Sequence, residues 1–434
     1  MKAQLPKYLT GIIFLISIVI LQWISRDDFW ILSSVYLTSF IAYLLLVFQF
    51  KSDSRFLIFV TIVSVLSFFC STPQMSEDVY RFLWDGKLWH LEINPYNLPP
   101  SEVVSNNGYL AELYPKMTEL TKGNHTCYPG FNQLYFFIAA FTSSVSHSIV
   151  ILKVLFVVSI VPGLIVLQKL LRETFTHSAS IWLLILNPLF LIESFGNLHF
   201  EAVMMGFLII AFYYLKRTLW LSAIFLALAV QIKLLPLIVL PFLIRYIGWQ
   251  RALFYGAVVL TINVLISVMI MTSDEALNFL QSLRLYFGIF EFNSFIPHYL
   301  QEFVQLFTGF DPIRYTAPIL SALTIVVLLY LGFYRKKKSL PHLIRDLSIG
   351  FLIYFLLNST VHPWYLITLI FFLPFVQRRT IILWSLVGFL SYGFYSLDPT
   401  TARILINVEY LIILISLGLE LRAMKVNRVN DHVS

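Results

Sequence analysis

The chain has 434 residues, of which 59% are hydrophobic and only 12% are charged. A soluble domain of this length carries roughly a quarter charged residues, so this composition excludes one and predicts an all-α, polytopic transmembrane helix bundle. The net charge of +7 does not indicate a nucleic-acid partner, because the basic residues form short clusters between apolar runs. Two cysteines, Cys70 and Cys127, exclude a cysteine-based metal cluster, and pairing between them stays open.

Apolar runs long enough to cross a bilayer recur along the whole chain. The segment 219–247 contains Lys233 and two prolines, which predicts two short helices that meet near Lys233. Residues 131–145 are expected to lie at the membrane interface. The sequence thus predicts one integral membrane domain over residues 1–434 with about 12–14 spans. The apolar runs are 8–24, 29–49, 56–72, 148–170, 178–194, 199–215, 252–272, 314–334, 345–360, 363–376, 380–397 and 403–421.

Basic residues at the ends of these runs set the orientation, because clusters of Lys and Arg remain on the cytoplasmic side. Two long loops, 73–130 and 273–313, then lie on the extracytoplasmic side. Arg26 is the one basic residue next to a helix end on that side. The first loop is rich in Trp and Tyr, which predicts short interfacial helices that cover a site. The cytoplasmic clusters are Lys2/Lys7, Lys51/Arg55, Lys169/Arg172, Lys216/Arg217, Arg245/Arg251, Arg335–Lys338, Arg378/Arg379 and Arg422/Lys425/Arg428.

The segment Glu77–Lys87 begins just after the third apolar run and combines acids, a base and aromatic residues. In a helix, Asp78, Arg81 and Asp85 share one face, so an arginine lies one turn from a carboxylate. Such an arginine supports the ionised form of the carboxylate, as a catalytic base requires. An interfacial helix with ordinary ion pairs has the same spacing, and both interpretations stay open.

A second polar constellation joins two apolar runs on the extracytoplasmic side and contains Glu193, Asn197, His199 and Glu201. Two carboxylates, an amide and an imidazole are costly at a membrane hairpin unless they have partners. A single histidine at an interface is usually structural, but the density of this group favours a functional site.

Three further residues could bind a phosphate. Lys233 stands within an apolar run and is expected to reach the extracytoplasmic interface as a compact positive charge. Arg284 lies in the second long loop, and His362 stands beside an aromatic pair at another helix junction. An aromatic belt with a structural histidine is the simpler interpretation of the last group. The sequence contains no Walker loop, dinucleotide fingerprint, HExxH or GxSxG motif, so it shows no site for ATP- or NAD-dependent chemistry.

Several of these segments form a familiar series: Glu77–Gly86, Asn94-Pro95-Tyr96, Tyr128-Pro129 with Gln133, Asn187-Pro188 with His199, Lys233–Pro236 and His362–Tyr365. In this series the chain resembles the GT-C superfamily of polyprenyl-phosphate-sugar-dependent glycosyltransferases, especially bacterial mannosyltransferase-like proteins and, more distantly, GPI mannosyltransferases. The similarity runs from about residue 70 to 376.

The resemblance implies a catalytic carboxylate in the first long loop. This residue corresponds to Asp78, with Glu77 as the competing candidate. Many members carry Asp-x-Asp or a near variant there, whereas this chain has Glu77-Asp78, so the choice stays open. Where relatives often have Tyr-Pro-Pro, this chain has Tyr128-Pro129-Gly130. Family likeness does not fix the sugar or the acceptor.

The implied reaction moves a hexose, with mannose as the first choice, from a polyprenyl-phosphate donor to a lipid or glycan acceptor outside the cytoplasm, where nucleotide sugars are absent. Asp78 would accept the proton of the acceptor hydroxyl, and direct displacement would invert the anomeric carbon. The donor phosphate is assigned to Lys233, Arg284, His362 and His199. Further substrate contacts are assigned to Arg81, Trp84, Asp85, Tyr96, Glu193, Asn197, Trp364 and Tyr365.

No dedicated metal-ligand set is visible, and Mg or Mn at the donor phosphate is the one cofactor for which the mechanism leaves room. The expected location is a bacterial inner (plasma) membrane, with the site facing outward. The alternative function is a transporter or flippase of a lipid-linked substrate. Transporters place essential charges near the bilayer midplane, whereas these charges stand at the ends of helices, which favours the enzyme. A scaffold subunit would need no essential carboxylate.

Overall fold

The computed structural model describes residues 5–174, 180–288, 290–334 and 339–433, with side chains described except at 286–288 and 424–433. Every regular element within these ranges is helical, and the β contacts there reduce to one isolated parallel bridge between Phe292 and Thr360. The all-α prediction is therefore confirmed. The basic cluster predicted at 335–338 and the start of the run predicted at 178–194 lie outside the described residues.

The first part of the chain consists of three apolar helices, a long loop with short helices, and one long helix that leaves this loop. The apolar helices are α1 (Leu5–Leu21), α2 (Phe29–Gln49) and α3 (Ser54–Ser67). The loop contains α4 (Asp78–His90), α5 (Gly108–Leu113), α6 (Glu119–Lys122) and α7 (Gly130–Ala139). The long helix is α8 (Val145–Thr174).

The middle of the chain contains short helices around two breaks. The first break lies between α10 and α11, and the second follows α12 at Lys233, where two short helices were predicted to meet. The helices are α9 (Trp182–Ile185), α10 (Pro188–Leu191), α11 (Glu201–Tyr214), α12 (Leu219–Ile232), α13 (Val239–Ile247) and α14 (Trp249–Ile270).

The last part begins with the second long loop and ends in a long helix. The loop carries α15 (Ser273–Gly288) and α16 (Ile296–Thr308). It is followed by α17 (Ile313–Tyr334), α18 (Leu340–Leu357), α19 (Ile367–Ile370), α20 (Leu373–Val376), α21 (Arg379–Val387) and α22 (Pro399–Val433). The runs predicted at 363–376 and 380–397 are not continuous α-helices, because they include the 3₁₀ turns Pro363–Leu366 and Gly388–Tyr395.

Six of the described helices are long and apolar enough to cross a membrane. The number of such candidate spans is seven if the bent pair Pro188–Gly196 with Glu201–Tyr214 counts as one span. The six are α2, α8, α14, α17, α18 and α22 as far as Ala423. The length and apolar composition of these helices identify an integral membrane protein. Several predicted spans are shorter helices, such as α1 and α3, so the count of 12–14 spans stays a prediction.

Both long loops lie at the same end of the bundle, which we call the loop face (residues 71–144, 271–312 and 358–362). Asn94 donates a hydrogen bond to the Ile270 carbonyl at 2.8 Å. Asn278 donates to the Tyr96 carbonyl at 3.0 Å. Because these bonds join the two loops directly, residues far apart in sequence build one surface.

The opposite end collects basic residues predicted to be cytoplasmic. Several of them bind acids at neighbouring helix ends, which ties the helices together there. The ion pairs are Lys7–Asp53 at 2.7 Å, Arg378–Glu420 at 3.3 Å and Arg217–Glu173.

Helices α4 and α7 cross closely at Gly86. A Cβ atom at this position would lie 2.0 Å from the carbonyl oxygen of Phe136, which belongs to the backbone of α7. A side chain here therefore forces the two helices apart, and overpacking of this kind costs about 1–3 kcal/mol.

We expect Gly86→Ala to lower the midpoint of thermal unfolding of the detergent-solubilised protein, measured by tryptophan fluorescence. Gly256→Ala on α14 is the matched control, because a Cβ there meets nothing within 4 Å and alanine favours helix. Equal midpoints for the two variants would contradict the close crossing.

Candidate active site

A broken helix places the first polar groups of the site. After α10 the chain forms a π-helical turn, Ile192–Gly196, and α11 then starts at Glu201 with a bend of 108°. Leu198 in the break has a positive φ of 64°, which is strained for an apolar residue. π-helical turns and strained backbone are frequent at functional sites.

His199 stands in this break and joins three elements at the loop face. Its Nδ1 lies 2.9 Å from Glu193 Oε2, and its Nε2 lies 3.1 Å from Ser76 Oγ. The same Nε2 is 3.6 Å from Asp78 Oδ2, at the first turn of α4. We call Ser76, Asp78, Glu193 and His199 the acid–histidine cluster. It brings together the first long loop and the helix break, although they are more than 100 residues apart in the sequence.

Glu193 is fully buried and its carboxylate is occupied by neighbours. Tyr392 donates to Oε1 at 2.6 Å, while Asn197 donates to Oε2 at 3.0 Å. With His199 on Oε2 as well, this carboxylate has no surface left for a substrate. Its contact with Nδ1 fixes the orientation of the His199 imidazole.

Contacts within and around the cluster shift the pKa values of His199 and Asp78. Burial alone would lower the pKa of His199, but its contacts with Asp78 and Glu193 outweigh burial and raise the pKa to about 9. Burial would raise the pKa of Asp78, but the charges of His199 and Lys233 lower it below its ordinary value. At neutral pH the site therefore holds an imidazolium beside an ionised carboxylate.

A stack of rings covers the other side of His199. The Trp364 ring lies 3.9 Å from the ring of His199 and 4.2 Å from that of His362, nearly parallel to both. Phe292 of the second long loop continues the stack, 4.3 Å from His362. Burial lowers the pKa of His362 to about 3, so this ring is neutral at neutral pH. It can offer an N–H to an anion but no charge.

Lys233 caps the end of α12 and brings a cation close to the cluster. It forms an ion pair with Glu201, the first residue of α11, and its ammonium lies 4.9 Å over the ring of Tyr365. Its side chain is 25% exposed, whereas Glu201 is buried. The lysine thus reaches the loop face and presents part of its charge there.

Glu77 precedes Asp78 but has a different environment. Its Oε1 lies 2.5 Å from Arg26 Nη2, in the connection between α1 and α2. The guanidinium also lies 4.2 Å over the ring of Tyr395. Asp78 keeps 37% of its side chain exposed and has no arginine or lysine within ion-pair distance among the described residues. Of the two neighbouring acids, Asp78 is the one free to meet a ligand.

Four predicted substrate contacts lie inside the first loop instead. The Arg81 guanidinium binds Asp85 at 2.7 Å and donates to the carbonyls of Thr121 and Asn124. Trp84 and Tyr96 are buried, and the Tyr96 hydroxyl donates to the Tyr128 carbonyl at 2.6 Å. These contacts hold the loop against α4. Arg81 and Asp85 thus form a buried ion pair inside the loop, and their role in substrate binding stays a prediction. Arg284 is exposed on α15.

Within the described residues there is no group of three or more His, Cys, Asp or Glu side chains placed to hold a metal ion. Cys70 and Cys127 are free thiols, so the pairing left open by the sequence does not occur in this structure.

Sequence reasoning did not assign Ser76, Tyr392, Phe292 or Arg26 to the site. Ser76 directly precedes the acidic pair and could have been found by extending the motif. Tyr392 lies 199 positions from Glu193 in the sequence, and no local sequence pattern predicts such a contact. Arg26 did carry a signal, because it was the one basic residue beside a helix end on the predicted extracytoplasmic side.

The fold and the cluster define an integral membrane protein whose polar site lies where apolar helices break at the loop face. The chain belongs to the alpha-(1->6)-mannopyranosyltransferase family: the model of that family's N-terminal domain matches residues 18–248, more than half of the sequence. This agrees with the resemblance to mannosyltransferases inferred from the motifs.

Two relatives extend this comparison. The chain is 28% identical over 201 residues to alpha-(1->6)-mannopyranosyltransferase A of Mycobacterium tuberculosis, covering 44% of this chain and 37% of that protein. It is 27% identical over 263 residues to GPI mannosyltransferase 1 of Candida albicans, covering 52% and 63% of the two chains. The matched region thus spans less than two thirds of either relative. No solved structure matches.

Proposed function

We propose that this protein is a mannosyltransferase that moves mannose from a polyprenyl-phosphate donor to a lipid or glycan acceptor at the loop face. The observation that carries the proposal is the approach of the partly exposed Asp78 carboxylate to the buried imidazole of His199 at 3.6 Å, in a chain of the mannopyranosyltransferase family. A carboxylate that stays ionised beside a buried imidazolium can accept the proton of an acceptor hydroxyl.

Asp78 is the proposed general base. Glu193 and Glu201 are buried and engaged, and Glu77 is bound to Arg26, so each of these acids already has a cation or donors. The exposed fraction of Asp78 lets an acceptor hydroxyl approach. A base with a lowered pKa remains ionised at neutral pH and accepts the proton as the new bond forms.

Lys233 is the first proposed ligand of the donor phosphate. Its ammonium is partly exposed, and an anion can share it with Glu201 at small cost. Neutral His362 offers a hydrogen bond, and its Nδ1 is buried with no partner among the described residues. Arg284 lies on the exposed side of α15 and would reach the phosphate only from the second loop. Trp364 and Tyr365 are the proposed walls for the sugar.

The proposed step is a direct displacement at the anomeric carbon. The acceptor oxygen attacks that carbon, its proton passes to Asp78, and the bond from the carbon to the phosphate oxygen breaks with its electron pair. The polyprenyl phosphate leaves as an anion, which Lys233 stabilises as the charge develops. Attack from the face opposite the leaving group inverts the configuration of the sugar.

We further propose that the loop face lies outside the cytoplasm of a bacterium whose inner membrane holds the protein as a single domain. The basic ion pairs at the opposite end support this orientation, because positive clusters stay inside. A donor at this face has to be lipid-linked.

The proposal is tested with purified protein in lipid nanodiscs, radiolabelled polyprenyl-phosphate mannose and a short α-mannoside acceptor. We expect label in the acceptor with the lipid donor and none with GDP-mannose. In sealed vesicles, label that changes leaflet but stays on the lipid would identify a flippase instead, and no transfer from any lipid-linked hexose would overturn the enzyme assignment.

His199→Gln provides a pH test. Asp78 is active only when ionised, so transfer falls as pH drops through its pKa. His199 lowers that pKa, and loss of its charge raises it, which moves the acid limb of kcat/KM up by about 1–3 pH units. His147→Gln is the control, because His147 is exposed at the start of α8. An unmoved acid limb in His199→Gln would contradict the coupling.

A further inference from the structure

The connection between α1 and α2 contributes a cation to the loop face that the proposed reaction does not use. Arg26 is mostly buried, with 19% of its side chain exposed, and it bridges Glu77 of the first loop and the Tyr395 ring near the end of the chain. This charge pair joins three distant segments beside Asp78, and its formation orders two long side chains and removes part of their water.

We infer that Arg26 is a positioning residue that withdraws the Glu77 carboxylate from the reaction and so leaves Asp78 as the acid that meets the acceptor. The inference rests on the proposed function and extends it to a residue outside the family motifs quoted above. Glu77 and Asp78 are adjacent in the chain at the start of α4.

The physical basis is repulsion between like charges. Two neighbouring carboxylates cannot both stay ionised cheaply, and one of them takes up a proton unless a cation compensates it. His199 compensates the charge of Asp78, and Arg26 compensates that of Glu77. Without Arg26, the Glu77 charge acts on Asp78 and raises its pKa, so the base is protonated at a higher pH.

Other titratable groups face this pair and enter any pH profile. The groups acting on Asp78 come from the break before α11, the residue that follows α12, the segment 358–362, the first loop and the end of the 3₁₀ turn Gly388–Tyr395. They are His199, Lys233, His362, Cys127 and Tyr395, while Tyr80 also faces Glu77. None of them contacts the Arg26 guanidinium except Tyr395 among the described contacts.

The test compares wild type, Arg26→Gln, Arg26→Lys and the double variant Arg26→Gln/Glu77→Gln. We expect Arg26→Gln to move the acid limb of kcat/KM up by about one pH unit. Arg26→Lys keeps the limb near its wild-type position, because the charge remains. The double variant returns the limb to the wild-type position, because the offending carboxylate is gone. Arg217→Gln, which breaks the ion pair with Glu173 at the opposite end, is the matched control.

A second measurement needs no activity. The melting temperature of Arg26→Gln should fall below that of wild type at pH 7, and the deficit should close as pH drops and one carboxylate takes up a proton. The double variant should show no such pH-dependent deficit. A deficit in both variants at every pH would show that Arg26 only holds the segments together, and this result would overturn the inference. Absence of wild-type transfer would instead refute the proposed function, while the melting series still decides the role of Arg26.

Discussion

Asp78→Asn is expected to lower the rate of mannosyl transfer at saturating donor by about 10²–10⁴-fold, the usual contribution of a positioned general base. Asparagine has the size of aspartate but accepts no proton at neutral pH. The buried network of Glu193, Tyr392 and Asn197 does not depend on residue 78, so the site should keep its form. The rate is measured with radiolabelled polyprenyl-phosphate mannose in a single turnover.

Donor binding separates this loss from a loss of affinity. Polyprenyl phosphate should raise the melting temperature of Asp78→Asn as much as that of wild type, because a ligand that binds only the folded state stabilises it. Glu77→Gln is the discriminating variant, and it should keep transfer within about tenfold of wild type. Loss of transfer in Glu77→Gln with retention in Asp78→Asn would move the base to Glu77.

Lys233→Gln has the second large expected effect, and it acts on both activity and stability. Glu201 is buried, so removal of its cation leaves a buried carboxylate uncompensated, at a cost of about 3–5 kcal/mol. The same change removes the proposed partner of the leaving phosphate, for which losses of about 10²–10³-fold in kcat are typical.

The double variant Lys233→Gln/Glu201→Gln separates the two effects. Removal of both charges should restore most of the melting temperature, because no buried charge is left without a partner. Transfer should stay low, because the phosphate still lacks its cation. Full transfer by the double variant would show that Lys233 serves only to neutralise Glu201.

The sequence predicted those parts of the fold that depend on local physics. Helix α12 ends at Ile232, directly before Lys233 and shortly before Pro236, because a charge and a missing N–H both disfavour a continuing apolar helix. The dense polar group from Glu193 to His199 marked the other break, since such groups need partners inside a membrane protein. The segment that carries Asp78 is helical, as the first loop was predicted to contain short helices.

Other features depend on contacts that no local pattern encodes. The spacing of Arg81 and Asp85 fits a substrate site and a structural pair equally well, and only the carbonyls of Thr121 and Asn124 show that this arginine faces inward. The 3₁₀ turns in 363–395 follow from packing, because the apolar composition alone predicts longer helices. The roles of the remaining site residues stay predictions.

The stereochemistry of a single wild-type turnover tests the central claim most directly. The product of transfer from polyprenyl-phosphate mannose of known anomeric configuration is analysed by NMR. Direct displacement with Asp78 as base predicts a mannoside with the opposite configuration to the donor. A product with the donor's configuration would contradict the account, because it requires a covalent sugar intermediate or a free cation in place of an activated acceptor.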